Sequence, residues 1–259
     1  MRNQMTCRTI VWFTISVFSC VLLGQNTGLS QTATTPQVQS AANVPDLSGL
    51  WGQGARGGLR WDVTGELPMT PWATEKYKAA RPPFGSNATF EAINDPVQLY
   101  CDPPGIPRIY NYPWQLTLLQ TPKIVYILYE FTRTWRSVAM DRDHPKDPDS
   151  TWLGDSVGRY EGDTLVVDTV GLSDKTWLDH PGHPHTDALH IVERFRHLDH
   201  DTLEVLFTID DPKAYTKQFT GRRLFKLSVS PMGETLCSMS ENESFRQQIM
   251  DPTVGSGPK

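Results

Sequence analysis

The part of the chain from residue 123 onward constrains the fold most, because it consists of short β-like runs joined by turns. Seven runs are rich in β-branched and aromatic residues: KIVYILYEF, RTWRSVAM, SVGRYEG, DTLVVDTVG, ALHIVERFRHL, TLEVLFTI and AYTKQFTGRRLFKLSV. Gly162-Asp163 and His200-Asp201 are typical of tight hairpin turns. Because no long helical segment separates the runs, neighbouring strands are expected to pair antiparallel. The sequence therefore predicts a mainly β fold, an antiparallel meander that forms a barrel or half-barrel.

Two short helices are predicted, one on each side of this β region. In MTPWATEKYKAARPP, Thr70 is a suitable N-cap, Pro71 occupies the first helical position, and Pro82 follows the end. In SENESFRQQIM, Ser240 and Glu243 form a capping box that predicts a C-terminal helix. Between the first helix and the β region, NDPVQLYCDPPGIPRIYNYP contains five prolines and is expected to be an extended wrapping segment.

The 259 residues are expected to form one β-rich domain, residues 46–259, after two preceding segments. Residues 1–30 have the features of a secretory signal peptide, because Arg2 and Arg8 precede a short apolar run. Residues 31–45 are rich in Thr, Gln, Ala, Ser and Pro and predict a flexible spacer. The protein is therefore expected to be periplasmic or extracellular, without an integral membrane segment once the signal is removed.

The four cysteines divide between the signal and the domain. Cys7 and Cys20 leave with the signal peptide, unless Cys20 is the acylated residue of a lipoprotein. Cys101 and Cys237 remain, and in an oxidising compartment they are expected to form a long-range disulfide. The alternative is a pair of buried, inert thiols.

The charge balance limits the partners of the domain. Removing residues 1–30 takes away two arginines and no acidic residue, so the formal net charge changes from −5 to −7. An acidic domain is a poor ligand for nucleic acids or anionic membranes. The partner expected from the sequence is a small-molecule ligand, and the oligomeric state is left open.

Period-2 alternation predicts which side chains face the interior of the sheet. In TLEVLFTI the inward, apolar positions are Leu203, Val205, Phe207 and Ile209, whereas Thr202, Glu204 and Thr208 face outward. By the same alternation, Glu193 faces inward in the preceding run, and Lys217 and Arg223 face inward in the following run. A buried charge needs a partner or a wet cavity. Two interpretations follow: a Glu193–Arg223 ion pair in a filled barrel, or a polar spot in a small-molecule pocket.

The stretch WLDHPGHPHTDALH concentrates groups that titrate. His183 and His185 are flanked by Asp179 and Asp187, and His180 precedes them. Their spacing matches no specific zinc signature, so no metal site is assigned. The acid–base hypothesis has His185 as general base, Asp187 fixing its tautomer, and Glu193 as the second catalytic group. The alternative is a solvated loop whose histidines only cap turns.

Other catalytic signatures do not occur in the chain. The sequence contains no G-x-S-x-G element, no G-x-G-x-x-G after a strand and no P-loop. No cofactor is therefore expected.

The segment SVGRYEGDTLVVDTVGLSDKTWLDHPGHPHTDALHIVERFRHLDHDTLEV, with TIDDPKAYTK after it, resembles a widespread, uncharacterised family of secreted bacterial proteins. The family pattern reads VGRWEGDTLVVDTTGF, TWLD, GHPHTEALHVTERFRR and DDPKAYTKPW, and the resemblance runs roughly from Asp102 to Glu243. Tyr160 replaces a tryptophan of the pattern, and Gln218 replaces a proline. The resemblance implies secretion and a shared β-rich fold, and it implies no particular activity.

The polar residues that match this family pattern are Arg108, Arg136, Arg159, Glu161, Asp168, Trp177, Asp179, His183, His185, Asp187, Glu193, Arg194 and Lys217. Of these, Arg136, Trp177, His183 and Lys217 are expected to bind a ligand, together with Arg223. The start of the domain, DLSGLW, also resembles the G-x-W opening of lipocalin-like barrels.

Three functions are consistent with the sequence. The first is an exported acid–base enzyme, a lyase, isomerase or hydrolase, that uses His185 and Glu193 on a small molecule. The second is a non-catalytic carrier or sensor of a hydrophobic or carbohydrate ligand, for which the eight tryptophans provide stacking surfaces. The third is a cell-envelope interaction module with a filled barrel.

Overall fold

Residues 44–53, 60–83, 88–89, 92–240 and 244 are described by the structure, a computed structural model. The predicted signal peptide, nearly all of the spacer, and the C-terminal helix apart from Ser240 and residue 244 lie outside these residues. The described residues belong to one compact unit, residues 42–259.

Strands dominate the described residues, as predicted. These residues contain ten strands: β1 (Gly49–Gln53), β2 (Arg60–Trp61), β3 (Leu116–Gln120), β4 (Ile124–Tyr129), β5 (Trp135–Met140), β6 (Asp155–Glu161), β7 (Thr164–Val170), β8 (His190–Asp199), β9 (Thr202–Asp210) and β10 (Phe219–Leu227). The helical elements are α1 (Pro71–Ala79), α2 (Pro96–Tyr100) and a 3₁₀ helix (Arg108–Asn111). No helix in the described part of the chain is both long enough and apolar enough to cross a membrane.

Nine of these strands close into a barrel. The order within the described sheet is β1-β3-β4-β5-β6-β7-β8-β9-β10, and β10 pairs with β1 to complete the ring. The short strand β2 pairs with β10 beyond the point where β1 ends. The predicted β-barrel is therefore confirmed. The sequence left open whether the barrel is closed or only a half-barrel, and the pairing of β10 with β1 shows that it is closed.

One pairing departs from the predicted antiparallel meander. Strands β5 and β6 pair parallel, whereas the other neighbours in the described ring pair antiparallel. A closed ring with an odd number of strands cannot alternate direction throughout, so at least one parallel pair is required. Because β5 and β6 run in the same direction, residues 141–154 return the chain to the end of the barrel where β5 began.

A chain of side chains holds this connection on the outside of the barrel. His144 Nδ1 lies 2.6 Å from Asp155 Oδ1, and His144 Nε2 lies 3.0 Å from Asp168 Oδ1. The same Asp168 oxygen lies 2.8 Å from His190 Nε2. Arg142 from the connection also pairs with Asp155, at 2.6 Å. These contacts link the connection to β6, β7 and β8.

The seven predicted strands and the first predicted helix are found, although the last strand begins at Phe219, five residues after the start of its predicted run. The seven runs correspond to β4 to β10, and the turns at Gly162-Asp163 and His200-Asp201 join β6 to β7 and β8 to β9. Helix α1 has Thr70 as its N-cap, whose side chain accepts a hydrogen bond from the Ala73 amide at 3.3 Å. The proline-rich segment was predicted to be extended throughout, which is wrong, because it contains α2 and the 3₁₀ helix.

Large side chains occupy the barrel interior. The predicted inward positions of β9 are buried, and the aromatic rings of Phe195, Phe207 and Phe225 join them. Tyr110, carried by the 3₁₀ helix, inserts between these rings, with its ring centre 5.9 Å from Phe225 and 6.4 Å from Phe207. Glu204 belongs to the outward set but is buried beneath Arg196 and Arg222, to which it is paired.

The buried carboxylate of Glu193 has a different partner from the one predicted. Its Oε2 lies 2.6 Å from Arg136 Nη2, and its Oε1 accepts a hydrogen bond from the Tyr110 hydroxyl. Both charged side chains are at most 1% exposed. Burial alone would lower the pKa of Arg136, but the adjacent carboxylate outweighs it and raises that pKa. The predicted Glu193–Arg223 ion pair is therefore wrong.

The predicted disulfide is confirmed. Cys101, the C-cap of α2, is bonded to Cys237 after β10, with a Cα–Cα distance of 5.4 Å and a sequence separation of 136. The bond ties the helical segment before the barrel to the chain that leaves the last strand. Such cross-links are typical of proteins in oxidising compartments.

Candidate acid–base site

A cleft of about 620 Å³ opens between β2, α1 and the loop that follows β7. We call it the histidine cleft, and the lining residues used below are Trp61, Tyr77, Asp179, His180 and His183. It combines aromatic surfaces with groups that titrate, which is the usual composition of a small-molecule site.

The loop that carries the histidines is tightly closed. Residues 177 and 184 form an isolated β-bridge, and the Leu178 amide donates to the His183 carbonyl at 2.8 Å. Asp179 Oδ1 accepts the backbone N–H groups of Gly182 at 3.2 Å and His183 at 3.1 Å. Gly182 has a φ of +95°, and a Cβ there would lie 2.7 Å from the Ala80 side chain. The loop therefore requires glycine at this position, packed on the end of α1.

Asp179 and His183 form a hydrogen-bonded pair at the cleft wall. Asp179 Oδ2 lies 2.6 Å from His183 Nδ1 and also accepts from Trp61 Nε1 at 3.3 Å. Burial would raise the pKa of Asp179, but the hydrogen bond and charge of His183 outweigh it and lower that pKa. An ionised carboxylate only accepts hydrogen bonds, so Nδ1 of His183 carries a proton.

The opposite nitrogen of His183, Nε2, has a free lone pair when the ring is neutral, and His183 lines the cleft. Among the described residues, no side chain or backbone group bonds to Nε2, and the side chain is 12% exposed. Tyr77 of α1 stacks on the imidazole, with ring centres 4.2 Å apart and planes 10° apart. The carboxylate fixes the tautomer and the stacked ring fixes the plane, so Nε2 is held in one direction.

A second imidazole in the cleft is kept neutral. Burial, and then the positive charge of Arg108, lower the pKa of His180 to about 4. Arg108 itself is buried and forms a bidentate pair with Asp95, at 2.9 and 2.5 Å. Its guanidinium also lies 5.2 Å from the centre of the Trp177 ring. Arg108 is thus a buried structural residue, and the ring of Trp177, which was predicted to bind a ligand, lies against its guanidinium.

His185, the predicted base, lies in a buried setting. Its Nε2 is 2.6 Å from Thr176 Oγ1, and its Nδ1 is 3.1 Å from the Thr186 carbonyl oxygen. Burial lowers its pKa. The prediction that Asp187 orients this ring is wrong, because the Asp187 carboxylate is 70% exposed and pairs with Lys213 at 2.7 Å. The main-chain carbonyl of Thr186 supplies the orienting contact instead.

Two other predictions concern Lys217 and the pairing of His185 with Glu193. Lys217 was predicted to face the interior, which is wrong, because it is exposed and precedes the start of β10 at Phe219. His185 and Glu193 share no hydrogen-bond partner in the described structure, since Glu193 bonds Arg136 and Tyr110. Catalysis by His185 or Glu193 stays a prediction.

Trp61 and Tyr77 complete the site and were not predicted. Neither has a sequence signal, because Trp61 lies in a two-residue strand and Tyr77 on a short helix distant from the histidines in sequence. The Asp179–His183 pair has a weak sequence signal, since the two residues are four positions apart in a proline-containing loop. No group of three or more His, Cys, Asp or Glu positioned to hold a metal ion is found in the described part of the chain.

Comparisons with known proteins add little. No protein-family model matches the chain, and no curated protein matches it. One solved structure that matches is described as "REP1-NXSQ fatty acid transporter", at 10% sequence identity and a TM-score of 0.32. The match covers 72% of this chain and 98% of that one. At so low a TM-score, the likeness supports no inference about this chain.

Proposed function

We propose that the protein is an acid–base enzyme of an oxidising compartment, periplasmic or extracellular, in which His183 is the general base. The single observation that carries the proposal is the Asp179–His183 pair, which occupies Nδ1 and leaves Nε2 without a partner among the described residues, on a residue that lines a cleft of small-molecule size. The reaction class is proton abstraction from a small organic molecule, as a lyase, isomerase or hydrolase requires.

The arrangement supplies what a general base needs. Its proton-accepting nitrogen has no hydrogen-bond partner among the described residues, its tautomer is set by a buried carboxylate, and its ring plane is held by Tyr77. A positioned base of this kind contributes about 10²–10⁴-fold to a rate. The neutral imidazole of His180 lies in the same cleft and adds no positive charge that would oppose protonation of His183.

A non-catalytic carrier is the second candidate, and the aromatic surfaces of the cleft favour it. Trp61 and Tyr77 both line the cleft, and such rings hold apolar and carbohydrate rings by stacking. A carrier ligand of this kind would lie against these rings in the cleft. The two candidates differ in whether the bound molecule is changed.

The test incubates purified protein with pooled small metabolites and follows them by mass spectrometry. Wild type is compared with His183→Gln, Asp179→Asn and the control His200→Gln, whose ring is 89% exposed. We expect turnover in wild type and the control, and a loss of about 10²–10⁴-fold in His183→Gln. Equal turnover in His183→Gln would reject the base. A molecule that binds in the cleft and is recovered unaltered would establish the carrier.

A further inference from the structure

Arg223 lies inside the barrel wall, away from the histidine cleft. It belongs to β10, where it is opposite Val205 of β9 and alternates with the buried Gly221 and Phe225. Only 3% of the residue is exposed. A guanidinium in such a place needs a hydrogen-bonding partner of opposite charge to offset the loss of water.

Arg223 has no such partner. Its Nε and Nη2 atoms are buried and make no hydrogen bond, and no ion pair with any described acidic residue is present. Burial lowers its pKa, and no acidic group offsets that effect. Glu193, the interior carboxylate it was expected to meet, is already bonded to Arg136 and Tyr110. The adjacent Arg222 provides a contrast, since it points outward and pairs with Glu204 at 2.5 Å.

The two unpaired donors are geometrically related. In a guanidinium, the Nε–H and one Nη2–H bond lie parallel along one edge, at the spacing of two oxygens of a carboxylate or phosphate. On Arg223 this whole edge is buried and unpaired. The guanidinium carbon lies 5.8 Å from the centre of the Phe225 ring, so an aromatic surface lies beside it.

We propose that Arg223 is an oxyanion-binding residue, which takes a carboxylate or phosphate group bidentately through Nε and Nη2 at the inner wall of the barrel. This site is separate from the proposed base, because Arg223 does not line the histidine cleft. An organic acid and inorganic phosphate present the same pair of oxygens, so they are two sources of one ligand chemistry.

The experiment measures thermal unfolding while sodium benzoate or sodium phosphate replaces sodium chloride at constant ionic strength. A ligand that binds only the folded state raises the melting temperature with its concentration. We expect a rise in wild type and in Arg222→Gln, the matched control on the opposite face of the strand. Arg223→Gln is expected to weaken binding at least about thirtyfold. Arg223→Lys, which keeps the charge and loses the fork, is expected to lose most of the rise.

The outcomes separate the sources and decide the proposal. A rise with benzoate alone identifies an organic carboxylate, and a rise with phosphate alone identifies an inorganic oxyanion. No rise with either in wild type, or an equal loss in Arg222→Gln, would overturn the proposal, as would full binding by Arg223→Lys. An Arg223→Gln protein that is more stable than wild type in chloride, and insensitive to both anions, agrees with it.

Discussion

At the scale of single residues, the interior of the barrel is governed by charges that must be paired. Glu193 can be assigned to the interior from the sequence, because the alternation of its strand places it on the same face as the apolar side chains. Its partner cannot be assigned in this way. Arg136 lies 57 positions earlier, on β5, and only the curvature of the closed sheet brings the two side chains together.

This pairing predicts a large loss of stability when one partner is removed. Arg136→Met leaves the Glu193 carboxylate buried without its cation, so we expect a loss of about 3–5 kcal/mol in the free energy of unfolding. The double variant Arg136→Met/Glu193→Gln removes both charges and is expected to recover part of it. Urea denaturation measures both values. A single variant as stable as wild type would show that the pair contributes nothing.

At the scale of elements, the seven β-like runs were predictable because each carries enough apolar side chains to bury one face of a strand. Strands β1 and β3 are short and β2 has only two residues, so no periodicity could emerge from them. The histidine loop was recognisable by its residue types. Its shape depends on contacts with α1, where Tyr77 stacks on His183 and Gly182 packs on Ala80.

The same loop predicts a dependence of stability on pH. The pKa of His180 is lowered from its ordinary value of 6.5 to about 4 in the folded protein, first by burial and then by Arg108. The unfolded chain therefore takes up the proton at higher pH than the folded protein. The resulting stability is present above about pH 6.5 and is lost as the pH falls through 4.

We expect wild type to lose about 1–3 kcal/mol more than His180→Gln between pH 7 and pH 4. Urea denaturation at several pH values measures the difference, and His200→Gln, with its exposed ring, should behave as wild type. Parallel pH profiles of wild type and His180→Gln would contradict the assignment.

At the scale of the whole molecule, the disulfide joins two segments that the barrel separates in sequence. The bond closes a loop of 136 positions and so lowers the conformational entropy of the unfolded chain. In the entropic model this stabilises the folded protein by about 3–5 kcal/mol. Cys101→Ser/Cys237→Ser is therefore expected to lose that amount, measured by denaturation without reductant. Its control is wild type in reductant, which should lose a similar amount. Equal stability of the variant and oxidised wild type would contradict the prediction.

The sequence by itself determined the strands from residue 123 onward, the inward faces of β8 and β9, the capped helix α1 and the cysteine pair. These follow from local periodicity, capping chemistry and the small number of cysteines, which need no knowledge of distant contacts. Only the tertiary structure decided closure, the parallel β5–β6 pair, the partner of Glu193 and the base in the cleft. Each of these joins residues far apart in sequence, and their separation is set by the curvature of the closed sheet. A local pattern carries no information about that curvature.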